Sequence, residues 1–218
     1  MNLKDFIDTM TRAKRGVKPA YTRYHVLKCL LLIHQDEPIG RIKLSKTLRL
    51  GETTVRTLLN RLKEEQIINV DKIGGVYLVG KGKILLRTIF SILEDIQKVK
   101  ASYTEKIMPQ YNYVYSLKLK VPLQQFNIKL TELRDMIIRF GADAALILKV
   151  DHGKLCLPYD NTIICEDSYE ALRYLRKGLK IIEAKTILFA FSSKSEDIAE
   201  KALIETFIEL LTNNIIII

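Results

Sequence analysis

The stretch Leu44–Val70, LSKTLRLGETTVRTLLNRLKEEQIINV, reads as two helices and the start of a strand. In its second helix Val55, Leu58, Leu59 and Leu62 follow the i, i+3, i+4, i+7 rule, so that stripe must pack inward. The opposite face then carries Thr53, Thr54, Arg56, Thr57, Asn60, Arg61 and Lys63. Gly51 opens this helix, Leu50 and Val55 stand in the positions of a hydrophobic staple, and Glu52 meets the positive end of the helix dipole. A shorter helix from about Arg41 to Leu48 precedes it, with Leu44 and Leu48 four apart on one face.

Upstream, residues 21–35, YTRYHVLKCLLLIHQ, place Tyr24, Leu27, Cys29, Leu31 and Leu32 at mixed helical spacings in a nearly continuous apolar run and predict a buried first helix, broken by DEPIG through Pro38 and Gly40. Before it lies a leader, residues 1–20, whose Arg12, Lys14, Arg15 and Lys18 suit a flexible basic arm. Downstream, residues 67–79, IINVDKIGGVYLV, predict two strands around a tight turn at Gly74–Gly75. Residues 80–103, GKGKILLRTIFSILEDIQKVKASY, read as one long helix in which Leu85, Ile89, Ile92, Ile96, Val99 and Tyr103 step by the 4-3-4-3-4 spacing of a coiled-coil seam.

Pro109 marks the next boundary. Beyond it the pattern predicts strand 112–121, helix 129–140, strand 144–150, a turn at Asp151-His152-Gly153 and strand 154–158. Helix 168–177, strand 184–191 and a last helix 195–212 entered by a Ser193-x-x-Glu196 box follow. The terminal isoleucines are expected to dock in a sheet or a subunit contact, since a bare apolar strand invites aggregation. The fold class is α+β. Its expected parts are a basic leader (1–20), a DNA-binding domain (21–82), a linker or dimerisation helix (83–108) and an α/β sandwich domain serving an effector or oligomerisation (109–218).

Charge divides along the same line. Residues 1–90 hold 18 Lys+Arg against 8 Asp+Glu, which is the whole net charge of +10, whereas residues 91–218 hold 17 of each. A basic module joined to a neutral one is expected where only the first meets a polyanion. The cysteines, Cys29, Cys156 and Cys165, form no CxxC and the histidines are scattered, so neither a metal site nor a disulfide scaffold is expected. Cys29, four residues after His25, is read as a small core hydrophobe. No Walker loop, GxGxxG, GxSxG or HExxH occurs, so no catalytic residues, cofactor or enzyme activity are expected. Asp143, Asp151, His152, Asp160, Asn161, Glu166 and Asp167 are the polar positions of the second half; LPYDNT (157–162) has loop composition. With no long apolar run and no signal-peptide pattern, the chain is expected to be soluble and cytoplasmic, with no membrane partner.

The order helix, short strand, helix, helix, hairpin, helix over residues 21–100 resembles a winged helix-turn-helix. Gly51, Thr54, Val55, Arg56, Leu59, Leu62, Ile68, Gly75, Tyr77, Leu78, Gly82 and Leu86 carry the resemblance. It implies that the third helix enters a major groove about 12 Å wide. Thr53, Thr54, Arg56, Thr57, Asn60 and Arg61 would then read bases, while Arg41, Lys43, Lys46, Lys63, Lys72 and Lys81 hold phosphates. Over the whole length, GRIKLSKTLRLGETTVRTLLNRLKEEQII (40–68) and ADAALILKVDHGKLCLP (142–158) resemble an uncharacterised group of archaeal two-domain winged-helix proteins. That resemblance implies a transcriptional regulator of double-stranded DNA, expected as a homodimer and open to a small-molecule effector. Two rivals stand beside it. One is a protein-interaction module without DNA. The other is a regulator fused to an enzyme, as in archaeal riboflavin-kinase regulators, though residues 110–218 lack a glycine- and proline-rich nucleotide-binding segment.

Overall fold

The computed structural model describes residues 3–14, 16–71, 74–159 and 162–216. Among these the fold is α+β, with eight α-helices and two sheets, and the chain divides into two compact units, residues 1–89 and 90–218. The first unit holds α1 (Leu3–Thr11), α2 (Arg23–Asp36), α3 (Arg41–Leu48), α4 (Glu52–Glu64), β1 (Ile68–Asp71), β2 (Gly75–Leu78) and α5 (Gly80–Phe90).

Helices α2, α3 and α4 enclose a core in which Leu27, Leu30, Leu44, Val55, Leu58 and Leu62 are fully buried. Burial of each such side chain contributes about 2 kcal/mol. The hairpin β1–β2 is antiparallel, and Ile39 adds a short third strand through paired bonds with Val76, N–H to O 2.9 Å in both directions. Gly75 is required there: its φ is +102°, and a Cβ would lie 2.7 Å from the Ile39 carbonyl oxygen. Cys29 is buried, and burial pushes its thiol up to about 12, so it is the inert core residue expected.

Two expectations for this half are corrected. The leader is not a free arm: residues 3–11 form a helix whose Leu3, Phe6, Ile7 and Met10 are buried, and α1 packs on α2 and α4. Nor does one long helix span residues 80–103. Helix α5 ends at Phe90, and β3 (Leu93–Val99) follows, hydrogen-bonded along β4 (Tyr113–Leu119). The proposed seam therefore does not exist as one helical face. Leu85 and Ile89 are buried on α5, Ile96 and Val99 lie on β3, Ile92 sits in the turn between, and Tyr103 packs on Gly178 and the Tyr174 ring, 5.8 Å between centroids. The physical reason is pairing: β4 has one edge on β8 and offers the other to Ile92–Val99, whose β-branched residues suit a strand.

The second unit is a six-stranded antiparallel sheet in the order β3-β4-β8-β5-β6-β7, completed by β5 (Ala144–Asp151), β6 (Lys154–Tyr159), β7 (Thr162–Cys165) and β8 (Thr186–Ser192). Central β8 is buried along its whole length, and its alternate side chains serve two layers. Ile187, Phe189 and Phe191 join Leu172 and Leu175 of α7 (Glu170–Arg176) in one core. On the other face α8 (Glu196–Thr212) packs against β4 and β8, and α6 (Leu130–Arg139) against β5 and α8. This is the expected sandwich.

The turn at Asp151–Gly153 forms as expected, with His152 at φ 46° and Gly153 at φ 78°, the signature of a two-residue hairpin turn. Strand β7 begins inside the segment expected to be loop. Its register places Cys165 opposite Cys156, and the two form a disulfide with S–S 2.03 Å, against expectation. Nine residues of sequence look like no motif, but a hairpin makes them cross-strand neighbours. The Ser193-Glu196 box also fails. Ser193 instead donates from N and Oγ to Asp143 Oδ2 at 2.7 and 2.8 Å, Ser195 is the N-cap, and these bonds hold the Asp143 carboxyl below the usual range. The end of the chain docks where Phe126 bridges Ile216; residues 217–218 lie outside the described residues.

One buried charge organises the β3–β4 edge. Lys118, with 2% of its side chain exposed, reaches Asp95 at 3.2 Å, Glu94 at 3.8 Å, Gln97 Oε1 at 3.1 Å and the Lys180 carbonyl at 2.5 Å. Glu94 in turn accepts from the backbone N–H of Ile182 and Glu183, so the cluster pins the loop to the sheet. Removing the cation strands a carboxylate that is only 7% exposed. Lys118→Met is expected to lower unfolding free energy by about 3 kcal/mol in urea denaturation, because breaking one side of a buried pair leaves the other charge uncompensated.

Candidate nucleic-acid interface

The site is built on α4. At about 100° per residue, Thr53, Arg56, Thr57, Asn60 and Lys63 fall within about 120° of arc, opposite the aliphatic stripe. All five are exposed, while Val55, Leu58, Leu59 and Leu62 are buried. Thr57 Oγ1 donates back to the Thr53 carbonyl at 3.0 Å, which occupies that hydroxyl's donor. Thr54 is half-buried on the flank of the strip.

Arg61, expected to read bases, does something else. It is 7% exposed, and its Nη1 donates to the carbonyls of Met10 at 2.9 Å and Arg12 at 2.8 Å. Its guanidinium stands 5.9 Å from the Tyr21 ring, and Tyr21 Oη donates to the same Met10 oxygen at 2.9 Å. The end of an α-helix leaves carbonyls without intrahelical partners. Helix α1 has no basic residue in its own last turn, so Arg61 supplies the missing cation from 51 residues away. Burial pushes the Tyr21 phenol up, and Arg61 pulls against that shift.

The strip is bordered on both sides. Toward the hairpin, a groove of about 430 Å³ is lined by Arg41, Ile42, Arg56, Asn60, Val70 and Gly75 among others. Toward the leader, a depression of about 380 Å³ lies between Lys14 and Val17–Tyr21 on one side and the threonines of α4 on the other. Of the residues expected to hold phosphates, Arg41, Lys43, Lys46, Lys63 and Lys81 are exposed. Arg41 pairs with Glu52 at 3.6 Å and Lys43 with Asp36 at 3.0 Å. Such exposed pairs contribute little and exchange readily. Lys72, and Arg15 of the leader, lie outside the described residues.

Glu64 shares the outer arc of α4 and would repel a polyanion. Lys14 of the leader binds it, and the hydrogen bond and charge of Lys14 hold the Glu64 carboxyl below its usual value. A depressed folded value stabilises the pair above the carboxylate's ordinary pKa, and that stabilisation is lost as pH falls through the lowered one. The sequence reading missed Lys14 in this role, as well as Leu3, Phe6, Ile7 and Met10, although their i, i+3, i+4, i+7 spacing is visible in LKDFIDTM.

Comparison with known proteins matches each half separately. Residues 25–84 match the family model described as PH0730-like, N-terminal domain, and residues 112–210 match a domain of unknown function, DUF4443. Among solved structures, the hypothetical protein PH0730 from Pyrococcus horikoshii OT3 is 27% identical, with a TM-score of 0.65 over 89% of this chain and 94% of that one. The functionally unknown protein lin2111 from Listeria innocua Clip11262 is 14% identical, with a TM-score of 0.22 over 78% of this chain and 93% of that one. BusR of S. agalactiae, in complex with its busAB-promotor DNA, is 14% identical, with a TM-score of 0.23 over 88% and 98%. The last two superpose too loosely to carry an argument. No curated protein matches. Among the described residues no helix is long and apolar enough to cross a membrane.

In a carboxyl-resolved NMR titration, the Glu64 midpoint is expected to rise toward the ordinary glutamate value in Lys14→Gln. An unchanged midpoint would mean that Lys14 does not hold it. The two family models thus match separate parts of the chain, and the Pyrococcus horikoshii structure is similar along most of its length.

Proposed function

We propose that the first unit binds double-stranded DNA and that the chain is a transcriptional regulator, not an enzyme, acting as a homodimer whose second unit serves oligomerisation or an effector. The observation that carries this reading is the exposed strip of α4, on which Arg56 and Asn60 open side by side onto the groove beside the β1–β2 hairpin. Their chemistry matches base edges: a guanidinium pairs with the two acceptors of guanine, and an amide with the donor and acceptor of adenine. The net charge of +10 resides wholly in this half of the sequence, which supplies the phosphate attraction such a helix needs. A two-fold dimer would present two such helices to half-sites about one helical turn apart.

The apolar rim of the same groove, with Ile42 60% and Val70 43% exposed, favours a competing reading as a protein-interaction module. That reading predicts a stable protein partner and no protected DNA.

Selection of bound sequences from a random duplex pool, followed by titration of the selected and scrambled duplexes across salt, separates the two. Arg56→Ala is expected to lose about 10- to 100-fold in discrimination between the duplexes, the value of one bidentate base contact. Lys63→Gln is expected to weaken both equally and to lower the salt slope by about 1. No enriched sequence and no salt dependence would remove the DNA reading.

A further inference from the structure

We infer that the leader is a fixed second wall of the DNA-binding surface, gripping a backbone strand on the flank of α4 opposite the β1–β2 hairpin; this rests on the DNA-binding reading above. A helix with its side chains is about 10–12 Å across and fills a major groove of about 12 Å. The two phosphate strands then run along its two flanks. One flank is bordered by the hairpin groove, and the other by Lys14 and residues 17–21.

The leader is held in place by several independent contacts. Phe6, Ile7 and Met10 are buried, Arg61 binds the carbonyls of Met10 and Arg12, and Tyr21 Oη binds Met10 again. The turn beyond is closed by the Lys14–Val17 bridge, with N–H to O distances of 3.3 and 3.2 Å, around Gly16 at φ +81°. That turn sets the exposed Lys18 on the rim of the depression whose far side is Thr53, Thr54 and Thr57. Lys18, Thr53 and Thr54 bring an ammonium and two hydroxyls to a lining otherwise made largely of Val17, Pro19, Ala20 and Tyr21, and among the described residues no carboxylate lines it. The neighbouring acid, Glu64, is neutralised by Lys14. The occupant this chemistry fits is a phosphodiester backbone.

Arg61 is accordingly a positioning residue: it touches no base and fixes where the leader's lysines stand. Full-length chain is titrated with a random-sequence 24-base-pair duplex between 50 and 200 mM KCl, with folding checked by thermal melting. Lys18→Gln is expected to lower the slope of log affinity against log salt by about 0.9, so that the wild type loses about 3.5-fold more affinity than the variant over that range. Arg61→Gln, which cuts the latch, is expected to lower the slope at least as much, and Arg61→Lys, which keeps a donor, to recover it. A reduced slope in Lys18→Gln with an unchanged slope in a folded Arg61→Gln would mean a flexible arm and overturn the fixed wall. An unchanged slope in Lys18→Gln, an exposed position that decides the matter even if Arg61→Gln fails to fold, would overturn the leader's contact with DNA and leave the α4 reading standing. A wild-type chain that binds no duplex at all would overturn both.

Discussion

Four aliphatics on one helix leave it a single orientation in which they are dry, and the proposed interface is what that orientation exposes. Val55, Leu58, Leu59 and Leu62 of α4 are each 5% exposed or less, packed within the core that α2 and α3 complete. Their burial amounts to several kcal/mol, far more than any exposed contact of the polar face. Arg56, Asn60, Thr53, Thr57 and Lys63 therefore point outward because of residues they never touch. The hairpin and the leader then border the strip on its two sides.

The same helix uses one of its cations inward. A guanidinium meeting two carbonyls is a better partner for a helix end than water, and burying it with its donors engaged avoids the cost of an unpaired charge. Arg61 thus connects the helix proposed to read DNA to the end of α1. The coupling is mechanical: anything that displaces the leader leaves a buried cation without its acceptors.

Much of this was legible in the residues themselves. The bounds of α3, the start of α4 at Gly51 and the pairing of two strands as a hairpin follow from local rules, because apolar spacing and turn chemistry act over a few residues. Gly75, however, already pairs with Asp71 in the ladder and is not in the turn as expected. What failed depended on distant partners. The 4-3-4-3-4 spacing from Leu85 to Tyr103 satisfies a helix, yet Leu93–Val99 is a strand because β4 needs a neighbour. Arg61 lies on the polar arc of a helical wheel, and only the leader carbonyls some fifty positions earlier turn it inward. Cys156 and Cys165 become neighbours only through the β6–β7 register. Helix α1 is the exception, since its amphipathic spacing was present and was outweighed by the basic residues that follow it.

The central claim is that DNA is met by the outer strip of α4 between two walls. Amide hydrogen exchange of the full chain, with and without a duplex obtained by selection, tests it most directly. Added protection is expected over residues 53–63, over the leader turn 14–20 and around Gly75, with the β3–β8 sheet exchanging as before. Protection confined to the sheet, or none on α4, would contradict the account.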